Sequence, residues 1–361
     1  MGVATISRKW FPAAAWDALR ADAERFGSGL TGFHNVNYLL EKAAQHAEML
    51  GVDFGTPVKI RLRRKGLKVV ERSWADEGVI LRALDRTAAV SNTPRYYAGC
   101  DDISVHEYVA GRTLSDVCPP GKPLDPIYLD SIIRQLALFT QVSAADLPPL
   151  PDGWAANGDS AAFLRDRVDF VEREVRRANW AEFSALFAAL EVPANALRVF
   201  RVRIPALRSR PFALLHGDLH RHNVIVREDH ELTIVDWELA MWGDPLHDLA
   251  IHLVRMRYPS DQRWEVIERW RTAVGPEFSA GLAQDLPVYI NYERAQSLFA
   301  DTLRAAHRFA GDHPKPGALD AAVSRVRNAL HLAAVPLRLS RVPTRTEVER
   351  ALLGWLRDRA A

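Results

Sequence analysis

Near the start of the chain, apolar residues alternate with polar ones in several short runs. Over most of the remainder they recur every three to four residues. Val36-Asn37-Tyr38-Leu39-Leu40 follows a glycine-rich turn and reads as a strand. In Val58-Lys59-Ile60-Arg61-Leu62-Arg63 apolar and basic positions alternate with period two. That predicts a second strand with its three cations on one face. Between Trp74 and Leu84, residues Val79, Ile80, Leu81 and Leu84 cluster on one side of a helix. Asp76 and Glu77 fall in its first turn, where the helix dipole favours acids. Ile103 to Val109 reads as a third strand, ended by Gly111.

Two proline-rich breaks follow, at 118–126 and 147–153, where the missing amide donors exclude regular helix or central strand. A helix is predicted between them, from about Pro126 to Ala145. Arg165 to Arg177 alternates in sign and reads as a solvated helix face. Phe212 to Leu215 is an apolar strand, and Val224-Ile225-Val226 with Leu232 to Trp237 forms a hairpin across a polar turn. Helical periodicity then covers 248–256, 264–274, 288–309 and 319–332. The pattern describes a small strand-rich unit with one prominent helix, followed by a larger and mainly helical one.

Composition narrows the possibilities. A chain of 361 residues suggests about two domains and is long enough to bury large cores without staples. Its 47 basic and 45 acidic residues leave a formal charge of only +2, which excludes the footprint of a general nucleic-acid binder. No run of 18 apolar residues suggests a membrane span, and the first residues lack a signal peptide's apolar core. A cytoplasmic protein with no membrane partner is expected. Cys100 and Cys118 are too few for a disulfide framework and are expected to be buried thiols.

The densest polar cluster is His216-Gly217-Asp218-Leu219-His220-Arg221-His222-Asn223, lying between two of the apolar strands. With Val235-Asp236-Trp237-Glu238, the hairpin brings Asp218, Asn223 and Asp236 to one end. Mg²⁺ takes one or two carboxylates together with phosphate oxygens and water, and this grouping suits it. Phosphoryl transfer also needs a carboxylate to orient the acceptor hydroxyl. Zinc at His216, His220 and His222 is disfavoured, because no cysteine lies nearby to complete a four-ligand set. Trp237 and Trp242 read as core or pocket wall.

His216 to His220 with Asn223 resembles the H-G-D-x-x-x-x-N loop of the aminoglycoside phosphotransferase and choline kinase family. Val235 to Glu238 resembles that family's I-D-W-E segment, and Gly243 to Ala250 its G-D-P-x-x-D-L-A. The resemblance implies an α+β, protein-kinase-like bilobal fold, with a small β-rich N-lobe and a larger, mainly α-helical C-lobe. Its implied units are 1–106 for the nucleotide lobe, 107–111 for the hinge and 112–361 for the catalytic and acceptor lobe. Asp218 would be the catalytic base, with Asn223 and Asp236 as Mg²⁺ ligands. Asp244 and Asp248 would brace the loop or border the acceptor.

The same resemblance makes Gly27, Gly29 and Gly32 a glycine-rich loop over the phosphates of ATP, or of GTP. This G-x-G-x-x-G precedes a strand, unlike a dinucleotide-binding fingerprint, which opens a helix. Arg61, with Lys59 as the alternative, would grip the phosphates, paired with Glu77 or, failing that, Glu71. Backbone groups around Glu107 and Val109 would read the base. Leu138-Phe139-Thr140 departs from the family, which often has Leu-His there, so another residue, His216 itself for example, must support the catalytic loop.

Charge bears on the acceptor. From Met241 onward there are 17 basic and 14 acidic residues, without the acidic excess a polycation would favour. Glu238, Tyr292 and Glu293, with Asp244 and Asp248, are candidate acceptor contacts, and Asp301 could join them. The expected activity is ATP-dependent phosphorylation of a hydroxyl on an antibiotic, whether aminoglycoside, nucleoside or another sugar-bearing natural product, with resistance as the outcome. A metabolic kinase for choline, homoserine or a sugar is the alternative. The intact Asp218, Asn223 and Asp236 argue against a regulatory pseudokinase.

Overall fold

The computed structural model describes residues 11–30, 35–41, 46–63, 69, 71–74, 76–87, 89–90, 92–100, 102–311 and 316–360. Helix α1 (Ala13–Phe26) leads into a five-stranded antiparallel sheet. Its strands are β1 (Ser28–Leu30), β2 (Asn35–Leu40), β3 (Val58–Arg63), β4 (Tyr96–Cys100) and β5 (Ile103–Glu107), in the order β1-β2-β3-β5-β4. The short helix α2 (Ala47–Leu50) precedes β3, and α3 (Glu77–Leu84) follows it. In the central strand, Val58, Ile60 and Leu62 turn one way and pack with Val105, Leu40 and, from α1, Leu19 and Ala23. The opposite face does not stay in water as an alternating strand would suggest. Arg61 is only 5% exposed there, because α3 brings Glu77 against it.

Helix α3 starts at Glu77, later than its apolar pattern suggests. The Asp76 side chain accepts from the Gly78 amide at 2.9 Å and caps the helix. Its apolar face does not join the sheet's core. Ile80, Leu81 and Leu84, with Val69 and Trp74, belong to the large core of the helical lobe. The Trp74 indole donates to the carbonyls of Pro148 and Pro149 at 3.2 and 3.1 Å, tying the lead-in of α3 to that lobe.

The helical lobe opens with β6 (Arg112–Thr113), α4 (Leu114–Val117) and α5 (Pro126–Phe139). It continues through α6 (Ser160–Phe170), a π-helical stretch Val171–Arg177, α7 (Trp180–Ala189) and α8 (Ala196–Val202). Two small sheets then frame the polar cluster. In one, β7 (Ala213–Leu215) pairs with β10 (Met241–Gly243); in the other, β8 (Val224–Val226) lies between β6 and β9 (Leu232–Ile234). Val224 pairs with Ile234, so the residues just before β8 and just after β9 come to one end of the hairpin. Helices α9 (Pro245–Met256), α10 (Ser260–Phe278), α11 (Leu282–Phe309), α12 (Ala318–Leu337) and α13 (Arg345–Ala360) complete the lobe.

Several elements differ from the sequence expectation. Helix α1 and strand β4 were not foreseen: α1 buries only Leu19 and Ala23, and β4 carries a register irregularity at an edge. Helix α13 is rich in arginine, yet Val348, Leu352 and Trp355 form a buried stripe at helical spacing. The helix beginning at Pro126 ends at Phe139, and the third expected strand ends at Glu107. Arg165 to Arg177 is not wholly a solvated face, since Arg167 and Arg176 are buried. Arg167 lies 4.2 Å over the Trp154 ring with its Nε 3.2 Å from Glu71, so its charge is balanced inside the lobe. Cys100 is exposed and Cys118 half-buried, so neither is the fully buried thiol expected.

Candidate active site

Asp218 sits on the loop leaving β7, and three separate contacts fix that loop. The Asp248 carboxylate accepts from the amides of His216 and Gly217 at 3.0 and 2.9 Å. The His216 ring donates from Nε2 to the Val235 carbonyl at 3.1 Å, and its Nδ1 accepts from the Asp218 amide at 3.2 Å. His216 thereby ties the loop to the segment that leads from β9 to Asp236. Gly217 has φ +75°, and a Cβ there would stand 2.3 Å from the Leu239 carbonyl, so only glycine fits the turn.

Asn223 joins the two halves of the site. Its Nδ2 donates to the Asp218 carbonyl at 3.0 Å and lies 3.4 Å from Asp218 Oδ2, while its own carbonyl accepts from Val235 at 2.9 Å. Asp236 has a left-handed backbone, φ 69°, which Asp tolerates better than most residues. Its neighbour's amide, Trp237 N–H, donates to Glu77 Oε1 at 2.7 Å. Glu77 also pairs with Arg61, whose Nη2 donates to Asp236 Oδ1 at 2.8 Å. Burial alone would lower the Arg61 pKa, but Glu77, Asp236 and Glu238 outweigh it and hold the guanidinium above its ordinary value. Glu238 receives Arg72 at 2.9 Å and Asn35 at 3.3 Å, so it binds the N-terminal sheet to the loop.

Arg61 therefore takes Glu77, while Glu71 is held by Arg167. Lys59 shares the face of Arg61, where burial first and Arg61 second lower its pKa. Gly27 is at the junction of α1 and β1. A Cβ there would meet the Ala23 carbonyl at 2.4 Å and Tyr38 Cβ at 2.9 Å, so close packing requires this glycine. Gly29 lies in β1 with open space around it, and Gly32 falls outside the described residues. At the strand's end, the Glu107 amide is committed to the Arg95 carbonyl at 2.8 Å. That leaves the Glu107 carbonyl and the Val109 amide as candidate base-reading groups. Behind them, Glu107 and Val109 help to line a cavity of about 400 Å³ with Leu84, Asn92, Arg95 and Arg227.

On the acceptor side the structure separates the sequence candidates. Asp244 is fully buried, paired with Arg210 and accepting from the Tyr289 hydroxyl at 2.7 Å. Of the two alternatives for Asp244 and Asp248, bracing fits this geometry, because neither carboxylate faces the cleft. Tyr292 is also buried, its hydroxyl donating to the Arg167 carbonyl at 3.3 Å. Glu293 is only 1% exposed and accepts from Gln296, Ser297 and Arg255, the last at 2.9 Å. Glu238, as described above, faces the lobe interface.

One site residue escaped the sequence reading. Arg255, on α9, pairs with Asp218 Oδ1 through Nη1 and with Glu293 through Nε. Burial would raise the Asp218 pKa, but Arg255 outweighs it and, with His220, holds the carboxyl well below the usual range. The signal was spacing. Asp248, His252 and Arg255 fall at i, i+4 and i+7 on a helix whose other buried residues, His247 apart, are apolar.

Asp236 and Asn223 offer one carboxylate and one amide group beside each other, the hard-oxygen chemistry of a Mg²⁺ that takes its other ligands from phosphate and water. Among the described residues, no three His, Cys, Asp or Glu side chains converge on a ready-made metal cage. His216 has both ring nitrogens engaged within the protein.

A strand-rich lobe and a helical lobe, meeting over a braced aspartate loop and an Arg–Glu pair, are the arrangement of the protein-kinase-like fold. The chain belongs to the phosphotransferase enzyme family, whose profile matches residues 31–298. Among solved structures it is similar to one described as a candidate aminoglycoside phosphotransferase from Ralstonia eutropha. That match has a TM-score of 0.56 at 16% identity and covers 91% of this chain and 99% of the other. A Plasmodium vivax ethanolamine kinase matches with TM-score 0.52 at 12% identity, over 84% and 81% of the two chains. A thermostable aminoglycoside phosphotransferase mutant, in complex with ADP and hygromycin B, matches with TM-score 0.50 at 14% identity, over 91% and 99%. A curated relative, acyl-CoA dehydrogenase family member 11 of Gallus gallus, is 28% identical over 160 residues, which is 42% of this chain. The chain spans only 19% of that relative's length. No helix among the described residues is long and apolar enough to cross a membrane.

Proposed function

We propose that this enzyme transfers the γ-phosphate of ATP, as its Mg²⁺ complex, to a hydroxyl of an uncharged or weakly charged natural product, with a sugar-bearing antibiotic as the leading acceptor. The observation that carries the reading is the Arg61–Glu77 pair, closed onto Asp236 and the Trp237 amide beside a separately braced Asp218. In this reading the Glu107 carbonyl and Val109 amide take the base, and Arg61 holds phosphate oxygens, its planar fork suiting them. Asn223 and Asp236 hold the metal, which neutralises the phosphates when bound. Asp218 accepts a hydrogen bond from the acceptor hydroxyl and so aims its oxygen at the phosphate. A carboxylate held this strongly ionised is a weak base, and it takes the proton late. That suits a loose transition state, in which positioning contributes more than deprotonation.

The metabolic alternative includes acceptors such as choline, and the similarity to an ethanolamine kinase keeps that class in view. The carboxylates nearest Asp218 are already bound to arginine, which favours acceptors without a permanent positive charge. The test is Mg²⁺-dependent ADP formation over a hydroxyl panel that includes sugar-bearing antibiotics, nucleosides, simple sugars and choline. Turnover of an antibiotic or sugar that disappears in Asp218→Ala, with nucleotide affinity retained, supports the reading. Unchanged turnover in Asp218→Ala would refute it.

A further inference from the structure

The Arg255 guanidinium spans the catalytic aspartate and the acceptor wall. Nη1 holds Asp218 Oδ1, and Nε holds Glu293 Oε1 at 2.9 Å. Glu293 also accepts from Gln296 and Ser297, three bonds in all, so it cannot turn to meet an incoming ligand without breaking its own helix contacts. The remaining nitrogen, Nη2, has no hydrogen-bond partner among the described residues. The side chain keeps 24% exposure. The open edge of the fork is therefore solvent-facing and lies next to the carboxylate that must receive the reacting hydroxyl.

His220 lies 3.5 Å from the same Asp218 oxygen, and α11 contributes Glu293, Asp301 and Arg304, the last two 3.6 Å apart. Once Asp218 is reserved for the hydroxyl, two arginines stand against two carboxylates, and each carboxylate already holds one of them. Asp236 is likewise paired, with Arg61, so among the described residues each carboxylate near this point already has an arginine partner and none is left unpaired for an ammonium group. An arginine can only donate hydrogen bonds, so whatever meets Nη2 must be an acceptor atom.

We infer that Arg255 is a specificity-determining residue that reads a second oxygen adjacent to the reacting hydroxyl, as in a vicinal diol or a 2-hydroxy carboxylate, and rejects an amine at that position. This rests on the reading of Asp218 given above and deepens it, naming the chemical class of the acceptor. The ammonium is disfavoured twice, by like charge and by the lack of a lone pair for Nη2. A hydrogen at the same position leaves a charged donor unpaired in the closed site, a weaker penalty.

The experiment uses the full chain with Mg²⁺-ATP and probes in matched triplets. One triplet is glucose, 2-deoxyglucose and glucosamine; another is uridine, 2′-deoxyuridine and 2′-amino-2′-deoxyuridine. The expected result is a kcat/KM for the oxygen member about 10- to 100-fold above the amine. Arg255→Gln should lower every member, because Arg255 also holds Asp218, but should lower the oxygen member about tenfold more than the deoxy member and so lose the preference. Arg255→Lys, which keeps the charge but loses the fork, should fall between the two and guards against a folding defect in the glutamine variant. Equal or better turnover of the amine by the unmodified enzyme overturns the inference and leaves the phosphotransfer reading intact. An equal fall for oxygen and deoxy members in Arg255→Gln also overturns it, since a merely structural role would act that way. No turnover of any member overturns both readings.

Discussion

Four aspartates, 218, 236, 244 and 248, lie within 31 residues of one another in the sequence, and their surroundings assign them different work. Asp244 is closed off between Arg210 and Tyr289, and Asp248 is turned onto two backbone amides. Asp218 and Asp236 keep 19% and 34% side-chain exposure, so only these two can meet a ligand. Asp218→Asn is therefore expected to lower kcat about 10²- to 10⁴-fold while leaving nucleotide affinity within about twofold, read by steady-state kinetics and calorimetric ADP binding. Glu77 acts at one remove, orienting Arg61 and the Trp237 amide. Glu77→Ala should raise KM for ATP about tenfold or more, because Arg61 is left buried without its most buried partner and only Asp236 and Glu238 remain. Equal effects on the acceptor KM would contradict that assignment.

Strand β3 was legible from its alternation, but the alternation did not say that its polar face would be buried. Helix α3 decides that, because its apolar side docks on the helical lobe and not on the sheet. The Arg61–Glu77 pair is consequently held by packing from two cores. The H-G-D turn is equally an element-scale device. Gly217→Ala must place a Cβ against the Leu239 carbonyl at a positive φ, which costs about 1–3 kcal/mol and misplaces Asp218. The expected outcome is a lower thermal midpoint together with a fall in kcat larger than the fall in nucleotide affinity. Elements α1, β4 and α13 escaped for different reasons: α1 buries only Leu19 and Ala23, β4 is an irregular edge strand, and the buried stripe of α13 is masked by its arginines and meets a distant partner, Trp355 stacking on Phe183 at 5.0 Å.

Across the whole molecule, the buried titratable groups set how stability follows pH. His216 and His252 are lowered by burial to about 4 and His247 to about 3, and His106 is lowered as well. Each stays neutral in the fold and takes up a proton on unfolding, so its contribution is present above about pH 6.5 and is lost as pH falls. Asp248, raised by burial to about 6, and Glu77, raised in the same direction, act oppositely. Four histidines against two carboxylates leave a net uptake of about two protons on unfolding near pH 5, or roughly 3 kcal/mol per pH unit. Denaturant midpoints should therefore fall from pH 7 to pH 5. His247→Phe, in a pocket bounded by the Phe163, Tyr289 and Tyr292 rings, should roughly halve the slope. An unchanged slope would show that His247 is not kept neutral. The buried Arg210, bound to both Asp244 and Asp285, should be costly to truncate. Arg210→Met strands two carboxylates and is expected to destabilise by about 3–5 kcal/mol in denaturant titrations.

The sequence by itself determined the family chemistry. A loop that must place an aspartate, an asparagine and a second aspartate at one hairpin end has to be written in adjacent residues with fixed spacing. Local spacing also gave the strand that carries Arg61 and the helix that starts at Glu77. Only the tertiary structure decided which cation and which glutamate pair, that Asp244 and Asp248 are withdrawn from the cleft, and that Arg255 stands beside Asp218. Those outcomes depend on which side chains meet across distant segments, where burial makes an unpaired charge too costly to leave unpaired. Two arginines and two glutamates look alike along a chain, and their partners distinguish them once water has been removed.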